Sequence, residues 1–337
     1  MKVSPSLYSS KLTTKETVHL IRNTISECVH IDVKDVENLD KVHEDVNIIR
    51  DNSDLFIDMH LIDENPNLKI DQLNEISPDY LAIQYENMKN PEVYFSLISQ
   101  LKDTSVGISI TRSTDISEVE EFIRKSEYVL LMTTIPGESG GSFDDDSLEW
   151  IKLFRKKYPK KRIHVDGGVD DLVSEKIRCL NIDCVVSGSY LMKAESMIAS
   201  VLKIKGAPSN KRLTKHMLPI EHIPTISYES SLLEALSSIE EGQRGFCFVA
   251  EDSKWGILTD GDIRRYLINT TLFDSPLSHS IGPMTNYNPF SIDHKSSVEN
   301  LLRKLIQEKL DKKLKFVVLT CYNEPIGILQ LNKITRS

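Results

Sequence analysis

The 337-residue chain has no apolar stretch approaching the ~20 residues that a helix needs to cross a bilayer. Its opening segment, MKVSPSLYSS, holds no apolar run resembling a signal peptide, so a cytoplasmic protein is expected. Cysteine is sparse. Cys28, Cys179, Cys184, Cys247 and Cys321 are scattered and form no CxxC pair. That leaves buried, reduced thiols in a cytosolic protein as the expectation. Positive charge is in deficit, with Lys+Arg at 41 against Asp+Glu at 50 and a formal net charge of −9. A net acidic chain argues against nucleic acid or an anionic membrane as the main partner. What remains is 40% hydrophobic and 27% charged, the balance of a soluble globular protein, at a length sufficient for two domains.

From the start to about residue 205, short β-like runs alternate with helical patterns. The runs lie near residues 2–6, 28–33, 55–61, 80–85, 105–110, 128–134, 162–168 and 184–189. Clear amphipathic segments fall at 15–25, 116–126, 147–158 and 172–180, where apolar residues recur every three or four positions. Eight strands alternating with helices predict an α/β fold, a (β/α)8 TIM barrel over 1–205. A doubly wound open sheet is the competitor, and the positions of the motifs favour the barrel. GAPSNKRLTK then marks a polar linker, placed at 206–216. Residues 217–337 hold two similar halves, 223–267 and 288–334. Each half has a Pro, a β-like piece, a Ser-Ser start to an amphipathic helix, a β run, a turn and Gly-Ile-Leu. The period is roughly 65–70 residues, an internal repeat.

Four residues of the first region carry chemistry: His30 and Asp32 in HID, His60 in DMH, and Asp166 in VDGG. In a strand, His30 and Asp32 point to one face because the side-chain period is two. In a barrel, the C-terminal ends of different strands converge on one mouth. Two imidazoles and two carboxylates suit one divalent transition metal, Zn2+, Fe2+, Mn2+ or Co2+, better than Mg2+ or Ca2+. A single strand histidine is more often a core residue than a ligand, and Asp58 beside His60 is open to a supporting or structural role. The four together, on three strand ends, favour a metal. Gly-rich turns follow the later strands at TTIPGESGGSF, VDGGV and SGS. Loops after strands 7 and 8 of a barrel often cradle phosphate with backbone N–H groups, and glycine permits that close approach.

KVSPSLYSS, HIDVKD, IDMHLIDENP, MTTIPGESGGSF, VDGGV and VSGSYL occur in the order and approximate spacing of ribulose-phosphate 3-epimerase motifs, and the chain resembles that family over residues 1–200. The resemblance implies a metal held by His30, Asp32, His60 and Asp166, with Asp32 and Asp166 also acting as acid and base. It implies a substrate-side role for Ser6, and phosphate-binding turns at Gly140, Gly141, Gly167, Gly168, Gly188 and Ser189. The implied reaction inverts C3 of a phosphorylated ketose, ribulose 5-phosphate or a relative, through an enediolate. The chain departs from the family where the second strand continues (Lys34 to Asp40) and where Gln84 replaces a histidine. It departs again at Thr111 and Arg112, and in the loop Ile135 to Gly140. The catalytic groups are kept while the substrate-shaping loops differ, so a ketose phosphate other than ribulose 5-phosphate is one expectation.

WGILTDGDIRR, at 255–265, resembles the nucleotide-contacting end of a CBS motif. The resemblance implies an α+β tandem CBS-repeat domain and a nucleotide effector, with Thr259 on phosphate and Asp262 on ribose. Thr259 also reads simply as a helix cap. Gln330 and Lys333 stand at the matching positions of the second half, so at most one competent nucleotide site is expected. Similar segments are attached to sugar-phosphate enzymes of surface-polysaccharide synthesis. By resemblance a homo-oligomer is expected. Two other readings stay open: another phosphate-binding barrel enzyme such as an aldolase, isomerase or decarboxylase, for which Lys34 is the Schiff-base candidate, and a non-catalytic sugar-phosphate sensor.

Overall fold

The computed structural model describes residues 1–34, 39–138, 140–207, 212–251, 254–269, 276–308, 314 and 316–334. These form two compact units, the first built on Met1–Ala207 and the second mainly on the residues after it. Among the described residues no helix is long and apolar enough to cross a membrane.

In the first unit eight parallel strands alternate with helices. The strands are β1 (Lys2–Pro5), β2 (Cys28–Lys34), β3 (Phe56–Ile62), β4 (Tyr80–Gln84), β5 (Ser105–Thr111), β6 (Tyr128–Met132), β7 (Arg162–Asp166) and β8 (Cys184–Ser187). Their order is β1-β8-β7-β6-β5-β4-β3-β2. A parallel bridge between Ser6 and His30 joins the two ends of that order, so the sheet closes. The doubly wound alternative is thereby excluded. The strands read as near-continuous Val, Ile and Leu because a parallel barrel covers both faces of its sheet.

The helices are α1 (Thr14–Arg22), α2 (Leu39–Asn52), α3 (Ile70–Ile76), α4 (Val93–Gln100), α5 (Glu120–Lys125), α6 (Asp145–Lys157), α7 (Asp171–Arg178), α8 (Ser189–Met192) and α9 (Met197–Ile204). Local chemistry sets their ends. Thr13 and Glu16 form a capping box on α1. Asp144 caps α6 through Ser147 N at 2.7 Å. Asp145 and Asp146 lie in the first turn of α6, and Arg155, Lys156 and Lys157 in its last, both matched to the helix dipole. The inner face of α6 buries Trp150, Ile151 and Phe154 against the barrel.

Several elements are shorter than the sequence pattern predicts, for visible reasons. β6 ends at Met132 because Thr133 Oγ1 donates to the carbonyls of Asp166 (2.9 Å) and Gly167 (2.6 Å). β7 ends at Asp166 because Gly167 (φ 116°) and Gly168 (φ 62°) turn the chain. α5 starts at Glu120, after an Asx turn in which Asp115 accepts from Ser117 N at 2.8 Å.

The barrel interior is unusually polar. Its apolar part is small: Ala82, Tyr128, Leu130 and Met132, with Tyr80 against them. The Tyr128 and His164 ring centroids lie 4.2 Å apart, with the rings tilted by 31°. Gly107 faces the Tyr128 ring so closely that an added Cβ would lie 2.6 Å from it. Around them His30, Asp58, His60, Gln84, Ser109 and His164 are all buried.

In the second unit the repeat seen in the sequence is a repeat of structure. The first half runs β10 (Thr225–Ser227), α10 (Leu232–Gly242), β11 (Phe246–Glu251), β12 (Lys254–Thr259) and α11 (Asp260–Asn269), after a short β9 (Met217–Pro219). The second runs β13 (Ser291–Asp293), α12 (Val298–Gln307), β14 (Phe316–Cys321), β15 (Glu324–Gln330) and α13 (Leu331–Ile334). In each half the first strand is parallel to the second and the second antiparallel to the third.

Phe154 is fully buried between α6 and the strands. Phe154→Ala should therefore cost about 3–5 kcal/mol of barrel stability. Urea unfolding followed by circular dichroism measures this, and a cost under about 1 kcal/mol would contradict the packing described.

Candidate active site

Strand register brings together what the sequence separates. In the β2–β3 pair, His30 lies opposite Asp58 and Asp32 opposite His60. Asp166 ends β7 and arrives from the other side of the closed ring. One donor atom from each of His30, Asp32, His60 and Asp166 lies within 4.8 Å of the others. His30 Nε2 is 3.4 Å from Asp32 Oδ1 and 3.6 Å from Asp166 Oδ2. His60 Nδ1 is 3.2 Å from Asp32 Oδ1. The four residues that the motifs single out are thus one cluster.

Each imidazole is held from behind. His30 Nδ1 lies 3.0 Å from Asp58 Oδ2. His60 Nε2 lies 2.7 Å from Gln84 Oε1, which also accepts from Ser109 Oγ at 2.7 Å. Such backing groups fix the orientation of a ligating histidine and raise its basicity. Asp58 therefore takes the supporting position left open for it by the sequence. Gln84 and Ser109 were not legible as site residues, because their roles depend on the pairing of β4 with β5. The glutamine looks like a lost motif residue and nothing more.

The electrostatics split the two carboxylates. Burial would raise the Asp32 pKa, but the His30 imidazole, and then His60, hold it well below the usual carboxylate range. Burial pushes Asp166 up to about 6; His30 opposes this and the Asp32 charge adds to it. Burial disfavours a charged His30, yet Asp58 and Asp32 outweigh it and raise its pKa well above the ordinary value. A divalent transition cation fits this donor set. His30 Nε2 is buried and has no hydrogen-bond partner among the described residues, although two carboxylates face it. The donors are mixed nitrogen and oxygen, as Zn2+, Fe2+, Mn2+ and Co2+ prefer.

Asp32 and Asp166 line a pocket at the barrel mouth, with His30 and His60 fully buried behind them. Ser6, Gly140, Gly141, Gly167, Gly168, Gly188 and Ser189 line the same pocket, as does Lys34. The structure thus gathers the four-residue cluster, Ser6 and the glycine-turn residues expected from the sequence at one mouth. At Gly168 the backbone is left-handed, and an added Cβ would lie 2.4 Å from Phe143 N. Only glycine lets the β7 turn pass the β6 loop there. Of the family departures, residues 35–38 and Ser139 lie outside the described residues.

In the second unit, Thr259 N and Oγ1 donate to Asp262 Oδ2 (3.0 and 2.6 Å) and Asp262 N donates back to Thr259 Oγ1 at 3.2 Å. This is a reciprocal cap on α11. Arg265 also pairs with Asp262. Gln330 ends β15, and the Lys333 side chain lies outside the described residues.

Residues 2–192 match the family model described as the ribulose-phosphate 3 epimerase family, and residues 215–269 match the CBS domain model. A ribulose-phosphate 3-epimerase of Helicobacter pylori (strain ATCC 700392 / 26695) is 32% identical over 206 residues, 58% of this chain and 92% of that protein. One from Aquifex aeolicus is 30% identical, covering 39% of this chain and 60% of that protein. One from Schizosaccharomyces pombe is 29% identical, covering 37% and 54% respectively.

Gly168→Ala should destabilise the barrel by about 1–2 kcal/mol from the left-handed backbone alone, and more from the clash with the β6 loop. Differential scanning calorimetry reads this directly, and an unchanged melting temperature would refute the close approach.

Proposed function

The chain belongs to the ribulose-phosphate 3-epimerase family, an isomerase family, and from that membership we propose that it inverts C3 of a phosphorylated ketose through an enediolate. The substrate is ribulose 5-phosphate or a related ketose phosphate. The observation that supports the reading is the convergence of His30, Asp32, His60 and Asp166 at a mouth rimmed by glycine turns.

The proton beside a ketose carbonyl is too weakly acidic to leave unaided. A divalent transition cation, when bound by the four donors, supplies positive charge against the negative charge of the enediolate. The chain's own groups do the rest. Asp32 is held as an anion and can take the C3 proton, while Asp166 titrates near 6 and can carry a proton to the other face. The reverse reaction exchanges their roles. Gly140, Gly141, Gly167, Gly168, Gly188 and Ser189 hold the phosphate, and Ser6 faces the sugar. Burial of both histidines keeps water from the back of the site. Opposed carboxylates are more than mere binding requires, which favours catalysis over a sugar-phosphate sensor.

In this reading residues 1–205 are the catalytic domain, 206–216 the linker and 217–337 a regulatory CBS pair. A nucleotide there takes Thr259 and Asp262 from each other, since the cap now uses both. The protein works as a cytoplasmic homo-oligomer, with surface-polysaccharide sugar synthesis as its setting.

Incubation of candidate four-, five- and six-carbon ketose phosphates in D2O with the cation-loaded protein should give deuterium at C3, read by NMR. No exchange with any of them would sink the epimerase reading. A best rate on ribulose 5-phosphate would reject an altered substrate. Asp32→Asn and Asp166→Asn should each lower turnover by ~10²–10⁴-fold or more, with circular dichroism unchanged. Wild-type turnover in either variant would remove that residue's assigned role.

A further inference from the structure

Lysine lines the candidate site at four places, Lys34, Lys41, Lys193 and Lys203. The four donors and the glycine turns account for none of them. Lys193 and Lys203 follow β8, on the side of the phosphate turns. The Lys41 ammonium lies 5.7 Å from the centre of the Tyr8 ring, whose hydroxyl donates to Asp45 Oδ2 at 2.9 Å. Lys34 stands elsewhere.

It is the last residue of β2, two positions after Asp32, so both side chains leave the same face of the strand. In the ladder it lies opposite Ile62, two residues after His60. Around the closed ring β3 is four strands from β7 in either direction. This edge of the mouth therefore lies across the ring from the Gly167 and Gly168 turn. Lys34 is exposed, yet its stem is not loose. The loop after β6 reaches it at Gly137, where a Cβ would lie 2.0 Å from Lys34 Cε, 2.8 Å from Ile62 Cδ1 and 3.0 Å from Lys34 Nζ. Glycine in left-handed backbone (φ 68°) lets the loop pass over the lysine. Among the described residues no carboxylate lies within ion-pair distance of this ammonium.

A substrate must reach across the mouth. With its phosphate on the turns after β7 and β8 and its C2 and C3 oxygens at the four donors, a ketose phosphate has C1 left over. The carbon chain carries C1 away from the phosphate, towards β2 and β3. A lysine ammonium there is a compact charge with three donors, suited to a phosphate or a carboxylate. A neutral hydroxymethyl group offers it no charge to meet.

We propose that Lys34 reads the C1 end of the substrate, and that the sugar preferred at this site carries a second anion there, a phosphate or a carboxylate on C1. The proposal rests on the epimerase reading and narrows it, from ketose phosphates in general to those with an anion at both ends. Lys34 is then a residue of specificity. It binds the end of the sugar that does not react, and Gly137 keeps its stem in place.

The test separates binding from turnover. Three five-carbon ligands without a ketone differ only at C1: ribitol 5-phosphate carries a hydroxymethyl group, ribonate 5-phosphate a carboxylate and ribitol 1,5-bisphosphate a phosphate. Isothermal titration of the full chain supplied with Co2+ should give a dissociation constant ~10–100-fold lower for one of the two doubly anionic ligands than for ribitol 5-phosphate, the size of one charge-assisted hydrogen bond. The tighter of the two identifies the anion. Lys34→Met keeps the length of the stem and loses the charge, and should bring that ratio to within about threefold of one. Lys34→Gln, the second variant in case the first fails to fold, should do the same. Equal affinities for the three ligands in the wild type would overturn the proposal, as would a ratio that survives loss of the lysine. So would borohydride trapping of ribulose 5-phosphate on Lys34, which would make the lysine a nucleophile. If no ketose phosphate takes up deuterium at C3, the epimerase reading fails, while the three affinities still decide the role of Lys34.

Discussion

His30 is fully buried, and its Nε2 stands 3.4 and 3.6 Å from two carboxylate oxygens with no hydrogen bond to either. Two carboxylates brought together in a barrel interior repel, and removing each from water costs several kcal/mol unless positive charge answers them. This requirement organises the site. It draws His30 towards the charged form despite burial. It separates the two acids, one held down by the imidazoles and one lifted to about 6 by burial. It places Asp58 behind His30, where a third carboxylate holds the ring and is itself kept below the usual range by His30 against the pull of burial. A cation answers the same requirement from the front.

Closure of the sheet is what makes the arrangement available. His30, Asp32 and His60 stand on neighbouring strands, as an open sheet would also allow. Asp166 does not. From β2 the sheet order places β7 at the far side, five strands away through β3 to β6, or across the closing bridge through β1 and β8. Only the closed ring carries Asp166 to within 3.6 Å of His30. The polar interior has a cost in packing, and the lower barrel compensates with edge-on and tilted aromatic contacts. Tyr80, Tyr128 and His164 fill the space beneath the cluster, and Gly107 leaves room for the Tyr128 ring.

The strands and the four donors were legible because their signals are local. Runs of Val, Ile and Leu between amphipathic helices show a buried parallel strand. HID puts two donors on one face of any strand. The glycine turn after β7 was legible for the same reason, since left-handed backbone at Gly167 and Gly168 is a demand on single residues. Illegible were contacts made between strands. Ser109 meets Gln84 only through the register of β4 against β5, and Glu86 meets Thr111 and Thr114 only once the loop after β5 folds back. Element ends were misread where a side chain bonds a neighbouring strand's carbonyl, as Thr133 does, because no period encodes that.

The site divides into a buried centre and an exposed wall, and the two answer to different constraints. A change at His30, His60, Gln84 or Ser109 leaves a polar group unpaired where no water can reach it, at about 1–3 kcal/mol each. The wall carries no such penalty. Lys34 extends from the exposed end of β2 across the loop after β6, and an added Cβ at Gly137 would lie 2.0 Å from Lys34 Cε. The centre's paired donors and acceptors therefore admit few alternatives. Lys34 and Gly137 line the mouth and touch none of the hydrogen bonds that hold the histidines.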